Sequence, residues 1–165
     1  MSGVVGARDY FVIIAGYWTF TLTDGALRML IVLYFHQLGF KPLDIAFLFL
    51  FYELFGVVTN LVGGWLAARL GLNTTLVVGL MIQVVALSML MVDSSSLTIA
   101  YVMLAQALSG IAKDLNKMSA KSGVKLLVPS GAEGRLYRWV SVLTGSKNAL
   151  KGVGFFLGSL LLNTI

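Results

Sequence analysis

Five basic side chains, Arg28, Lys113, Lys117, Lys147 and Lys151, stand inside stretches of sequence that are otherwise apolar. Two carboxylates, Asp24 and Glu53, do the same, and Asp114 follows Lys113 directly. A charge at the middle of a bilayer costs roughly 2.5–3.5 kcal/mol on insertion scales, so such residues face a bundle interior or an aqueous cavity. Five bases against three acids give that cavity a positive excess, and a positive cavity in a dry surround attracts anions. Arginine offers a planar fork to phosphate or carboxylate, and lysine a compact point charge. The chemistry these residues suit is recognition and passage of an anion carrying more than one charge. Asp24 and Glu53 are the protonatable candidates for coupling that passage to protons.

The spacing supports one shared cavity. Gln106, Ser109, Gly110, Lys113, Asn116, Lys117 and Lys121 recur at three and four residues and form one polar stripe on a helix. Thr144, Lys147, Asn148 and Lys151 form another. Glu53 falls ~15 Å into its span and Lys147 ~17 Å into its own, both near the midplane. Asp24 and Arg28 are four residues apart, acid first, the favoured order for an intrahelical pair. Plainer readings stand beside these. Asp24 and Arg28 can neutralise each other, Lys117 can snorkel to the headgroups, and Glu53 can pair with one of the lysines. Lys147 and Lys151 lie too deep for easy snorkelling and have no acid four residues away. His36, at the end of a span, reads as interfacial.

The elements that must position these groups follow from composition. Of 165 residues, 58% are hydrophobic and 12% charged, with mean hydropathy +0.91. A soluble domain is about 45–50% apolar and about 25% charged. The balance excludes a disordered chain, a nucleic-acid-binding tail and an ordinary cytosolic enzyme. It predicts an all-α, polytopic helical membrane protein of about five transmembrane helices. The spans are expected at about 10–36, 43–70, 74–92, 97–128 and 136–162. The turns between them carry Gly39, Lys41 and Pro42, then Gly71 to Asn73, then Asp93 to Ser96, then Pro129 to Gly134.

Lys and Arg set the orientation. Arg8, Arg69, Lys121, Lys125, Arg135 and Arg138 flank one side, and Lys41 alone the other. By the positive-inside rule the N-terminus is cytoplasmic and the fifth span points outward. This assigns half of the basic residues to topology without a ligand. There is no cysteine, so disulfides, thiolate metal sites and cysteine nucleophiles are excluded. An enzyme is not expected. The sequence has no metal-ligand cluster, no nucleophile–base pairing and no phosphate-cradling loop, and His36 is the lone histidine. No cofactor, metal or nucleic-acid partner is implied. The Asn73-Thr74-Thr75 sequon falls on the cytoplasmic side, where glycosylation does not occur.

Three short motifs point to a family. The turn GGWLAARLGLNTT resembles motif A of the major facilitator superfamily through Gly64, Arg69 and Gly71, with Ala68 in place of its Asp. AQALSGIAK resembles motif B through Gly110, with Gln106 where that motif has Arg. Gly145, Gly154 and Gly158 match the glycine skeleton of motif C, which is associated with antiporters, and Ser159 replaces the usual Pro. Gly154 and Gly158 equally make a small-xxx-small packing surface.

Longer stretches are more specific. YWTFTLTDGALRML, PLDIAFLFLFYELFGVVTNLVGGWLAARLGL, LSGIAKDLNKMSAKSGVKLLVP and GRLYRWVSVLTGSKNALKGVGFFLG resemble the organoarsenical-efflux permeases of that superfamily, the ArsJ type. The resemblance implies export of 1-arseno-3-phosphoglycerate and arsenate resistance at a bacterial inner membrane. It also implies a functional link to the glyceraldehyde-3-phosphate dehydrogenase that makes the compound. Trivalent arsenic prefers thiolates, whereas a pentavalent arsenate ester is a hard oxyanion and needs none. The superfamily is built from two six-helix halves, so the chain is expected to be a partial N-terminal half that does not transport by itself. Two other functions fit the sequence. One is efflux of a different phosphorylated or carboxylated anion. The other is a non-transporting membrane protein whose Lys121 and Lys125 region binds anionic lipid or a cytoplasmic partner.

Overall fold

A computed structural model describes the backbone of residues 2–93 and 96–162, with side chains from Arg8 onward in those ranges. Six α-helices account for the regular structure of the described residues. They are α1 (Ser2–Gln37), α2 (Pro42–Leu48), α3 (Leu50–Leu70), α4 (Leu72–Met89), α5 (Ile99–Leu127) and α6 (Glu133–Leu162). The protein is all-α. Two runs, Pro42–Leu70 across α2 and α3, and Leu72–Met89, are long and apolar enough to cross a membrane.

The boundaries differ from the sequence expectation in instructive places. The second span is not one unbroken helix. Phe49 interrupts it with φ −92° and ψ −3°, and its N–H bonds the Ala46 carbonyl, a tighter turn than the α-helix makes. Six segments therefore stand where five spans were expected. The α1 helix starts at Ser2 and not near residue 10, since nothing before Tyr10 breaks it. The turn between α3 and α4 shrinks to Gly71, whose φ of +84° reverses the chain in one step. Pro42 opens α2, and the Thr98 hydroxyl caps α5 by accepting from the Tyr101 N–H at 3.3 Å.

The α5 helix is the centre of the bundle. Its buried residues are mostly small, among them Ala105, Ser109, Gly110, Ala112, Ser119, Ala120 and Gly123. Small side chains let helices approach on several sides at once. The α5 helix packs against α3, α4 and α1. The α6 helix lies mainly along α1. Gly154 and Gly158 make that contact close. A Cβ at Gly154 would meet the Leu22 carbonyl, and one at Gly158 the Ala26 carbonyl. Gly110 does the same for α5 and α3, where a Cβ would fall on the Tyr52 carbonyl oxygen.

Two apolar clusters cap the bundle at opposite ends. One gathers Ile13, Ile14, Tyr17, Ala120, Val124 and Leu143. The other gathers Leu27, Ile31, Phe35, Ile45, Leu48 and Val102. Asp24 and Arg28 of α1, Lys113, Asp114 and Lys117 of α5, and Lys147 and Lys151 of α6 fall between or beside these clusters, in the middle layer. The outer faces stay apolar, with Phe11, Phe51, Leu61, Trp65, Met81 and Phe156 all exposed.

Candidate functional site

Tyr52 organises the middle layer. It sits on the buried face of α3, in step with Gly56, Thr59, Gly63 and Ala67. Its side chain has no exposure, and its hydroxyl donates to Asp24 Oδ1 at 2.6 Å. Its ring also carries two cations. The Arg28 guanidinium lies 4.1 Å from the ring centroid and Lys113 Nζ lies 4.1 Å from it. Cation–π contacts of this kind strengthen when desolvated. Tyr52 thus ties α1, α3 and α5 together through one side chain.

The next residue, Glu53, points into the open space beside it. Its Oε1 accepts from Arg28 Nη2 at 2.8 Å, and its Oε2 from Lys113 Nζ at 3.3 Å. Lys113 also lies 3.8 Å from Asp114 Oδ2, and Lys117 donates to Asp114 Oδ1 at 3.3 Å. Gly56 makes room for that carboxylate, because a Cβ there would stand 2.7 Å from Asp114 Oδ2. Three of the five expected bases, Arg28, Lys113 and Lys117, therefore have acidic partners.

Lys147 and Lys151 do not. Among the described residues no carboxylate lies within 4.0 Å of either. Both are half-buried on α6 and face a cavity of about 330 Å³. Arg28, Glu53, Lys113, Asp114 and Lys117 line the same cavity, along with Gly56 and Asn60. The volume lies at the lower end of small-molecule sites. A second space of about 20 Å³, large enough for one water, lies against Asp24, Thr21 and Tyr17 and shares all four lysines. Five bases against two acids line the larger cavity, so it holds a positive excess.

No protein-family model matches the chain, and no solved structure matches it. Its chemistry is therefore read from this geometry.

The structure brings together all eight charged residues that the sequence singles out for the cavity: Arg28, Lys113, Lys117, Lys147, Lys151, Asp24, Glu53 and Asp114. The pairing differs from the intrahelical one. Arg28 turns to Glu53 of α3, and Asp24 accepts from Tyr52, so no ion pair within 4.0 Å joins Asp24 to Arg28 among the described residues. Lys117 pairs with Asp114 and lines the cavity. The polar stripe on α5 also divides. Lys113 and Lys117 face the cavity, while Ser109 donates to Gln83 Oε1 on α4 at 2.8 Å. Asn116 is fully buried, with its side-chain nitrogen against Gly79. Lys121 is exposed.

The motif residues separate by role. Gly71 makes a turn, Gly110, Gly154 and Gly158 make close helix contacts, and Gly64 touches only the Met118 methyl, at 3.5 Å from an added Cβ. Arg69 stacks over the Trp65 ring at 4.8 Å on the outer face of α3. Gly145, expected in the packing skeleton, meets nothing within 4 Å, because α6 is exposed there. Sequence reasoning missed Tyr52, Gly56, Asn60 and Gln83. The signal for the first two was the spacing of Tyr52, Gly56, Thr59 and Gly63 at three and four residues on one face of α3.

Proposed function

We propose that this chain forms helices of a membrane transporter that exports an organic anion with more than one negative charge. The observation that carries the reading is the pair Lys147 and Lys151, half-buried, facing the cavity and lacking a carboxylate partner among the described residues. A buried cation without a counter-ion is costly. A site that accepts an anion offsets that cost when occupied. Arg28, Lys113 and Lys117 line the same cavity and add the charge a second anionic group needs.

Membrane insertion is part of the proposal. The two apolar runs long enough to cross, the exposed large hydrophobics and the one-sided basic loops all support it. The sequence resemblance to ArsJ-type permeases of the major facilitator superfamily narrows the substrate to 1-arseno-3-phosphoglycerate at a bacterial inner membrane. An arsenylated, phosphorylated acid has anionic groups at both ends, which suits bases spread over α1, α5 and α6. The test is uptake of this compound by everted vesicles carrying the full-length transporter. Lys147→Gln should lower the rate about tenfold or more with protein levels intact, since a hydrogen bond to a charged group contributes about 1.5–3 kcal/mol. Unaltered uptake would assign Lys147 a structural role. Competition by other phosphorylated acids would show a broader substrate range.

A further inference from the structure

The three acids of the site are held very differently. Asp24 is 2% exposed and is fixed by the Tyr52 hydroxyl. The Asp114 side chain is 6% exposed and lies against Lys113 and Lys117. The Glu53 side chain is 60% exposed, at the cavity wall, with its two oxygens on bases from two different helices. A carboxylate bridging Arg28 of α1 and Lys113 of α5 takes the positions that two oxygens of a bound phosphate or carboxylate would take. Exposed ion pairs are weak, whereas a doubly charged anion offers the same bases more charge.

We propose that Glu53 is a resident counter-ion that occupies the anion subsite at Arg28 and Lys113 and is displaced by the arriving anion. This rests on the reading of the cavity as an anion site and adds how the site is held when empty. Lys147 and Lys151 receive the anion first, because no carboxylate must leave them. One anionic group then exchanges with Glu53, whose exposed side chain swings toward the open cavity. The charged groups facing Glu53 are Arg28 from α1, Lys113, Asp114 and Lys117 from α5, and Lys147 and Lys151 from α6. Protonation of Glu53 removes the same competitor, so acid tightens anion binding. By reciprocity, a bound anion favours the protonated carboxyl.

Sulfate is the probe, because it keeps both charges across the pH range of interest. Its binding to the full chain is measured by calorimetry near neutral pH and again in acid strong enough to protonate a carboxylate paired with two bases. Glu53→Gln should bind sulfate about three-fold tighter or more at neutral pH, and should lose most of the tightening in acid that the unsubstituted chain shows. An infrared difference spectrum of sulfate binding should show a carboxylate band leaving its guanidinium environment, absent in Glu53→Gln. Equal or weaker binding by Glu53→Gln, or no carboxylate band change in the unsubstituted chain, overturns the proposal. The Lys147→Gln, Lys151→Gln double variant separates the two ideas. If it binds sulfate as well as the unsubstituted chain, the anion site itself is wrong. If it loses binding while Glu53→Gln gains nothing, the site stands and the displaced counter-ion does not.

Discussion

Tyr52 joins one acid and two bases of the site through a single side chain. Its hydroxyl satisfies a carboxylate with almost no solvent access, and its ring supports Arg28 and Lys113. Tyr52→Phe keeps the ring and removes only the donor, leaving Asp24 buried without its partner. The expected loss is about 1–3 kcal/mol, read as a lower unfolding midpoint in detergent. Asp24→Asn should recover part of it, giving a non-additive double-mutant cycle. Additive effects would mean that the 2.6 Å bond contributes little. This interaction was not legible in the sequence, although the charges around it were. Charged residues inside apolar runs announce themselves by their solvation cost. A tyrosine in an apolar run does not, and its partner lies 28 positions away. Asp24 and Arg28 invited pairing along one helix, but helix spacing shows which groups are near and not which neighbour from another helix is nearer.

At the scale of elements, glycines set the separation of helices and so the position of the bases. Gly25 on α1 faces the backbone of Lys151 on α6, where an added Cβ would stand 3.0 Å from the Lys151 carbonyl oxygen. That approach brings Lys151 beside the Asp24 and Arg28 segment. Gly158 continues the contact two turns further along α6, against Ala26. Gly158→Ala should therefore cost about 1–3 kcal/mol by overpacking. Gly145→Ala, on the same helix, meets open space and should be neutral or stabilise by up to about 1 kcal/mol through helix propensity. Thermal unfolding of the two variants side by side checks the contrast. Equal effects would show that the α1–α6 contact is looser than described. The helices themselves were legible, because apolar length and Gly or Pro punctuation fix most of their limits. The break at Phe49 was not, since nothing in FLFLFYEL marks one residue as the point where a helix tightens. The three motif C glycines look alike in sequence, and only the neighbour across the contact separates Gly154 and Gly158 from Gly145.

At the scale of the whole molecule, the alternating course of the helices and the distribution of basic residues make one joint statement. The apolar cluster around Ile13, Val124 and Leu143 marks the end where α1 begins, α5 finishes and α6 begins. The cluster around Phe35, Ile45 and Val102 marks the other end. Arg8, Arg69, Lys121, Lys125, Arg135 and Arg138 belong to the first end, and Lys41 to the second. A bilayer around this bundle would hold the first end on the cytoplasmic side. The absence of cysteine makes the orientation directly measurable, since any introduced thiol is the only one. Ser130→Cys lies in the turn between α5 and α6, and Lys41→Cys just before α2, both exposed. In intact cells an impermeant maleimide should label the residue-41 thiol and not the residue-130 thiol. In everted vesicles the pattern should reverse. Labelling of both from one side would mean that the chain does not thread the bilayer, and the central bases would then face something other than a transport pathway. The Lys41 substitution also removes the single basic residue from the outer side, so it can only strengthen the charge asymmetry. A reversed pattern would therefore count against the assigned orientation and could not be blamed on the variant.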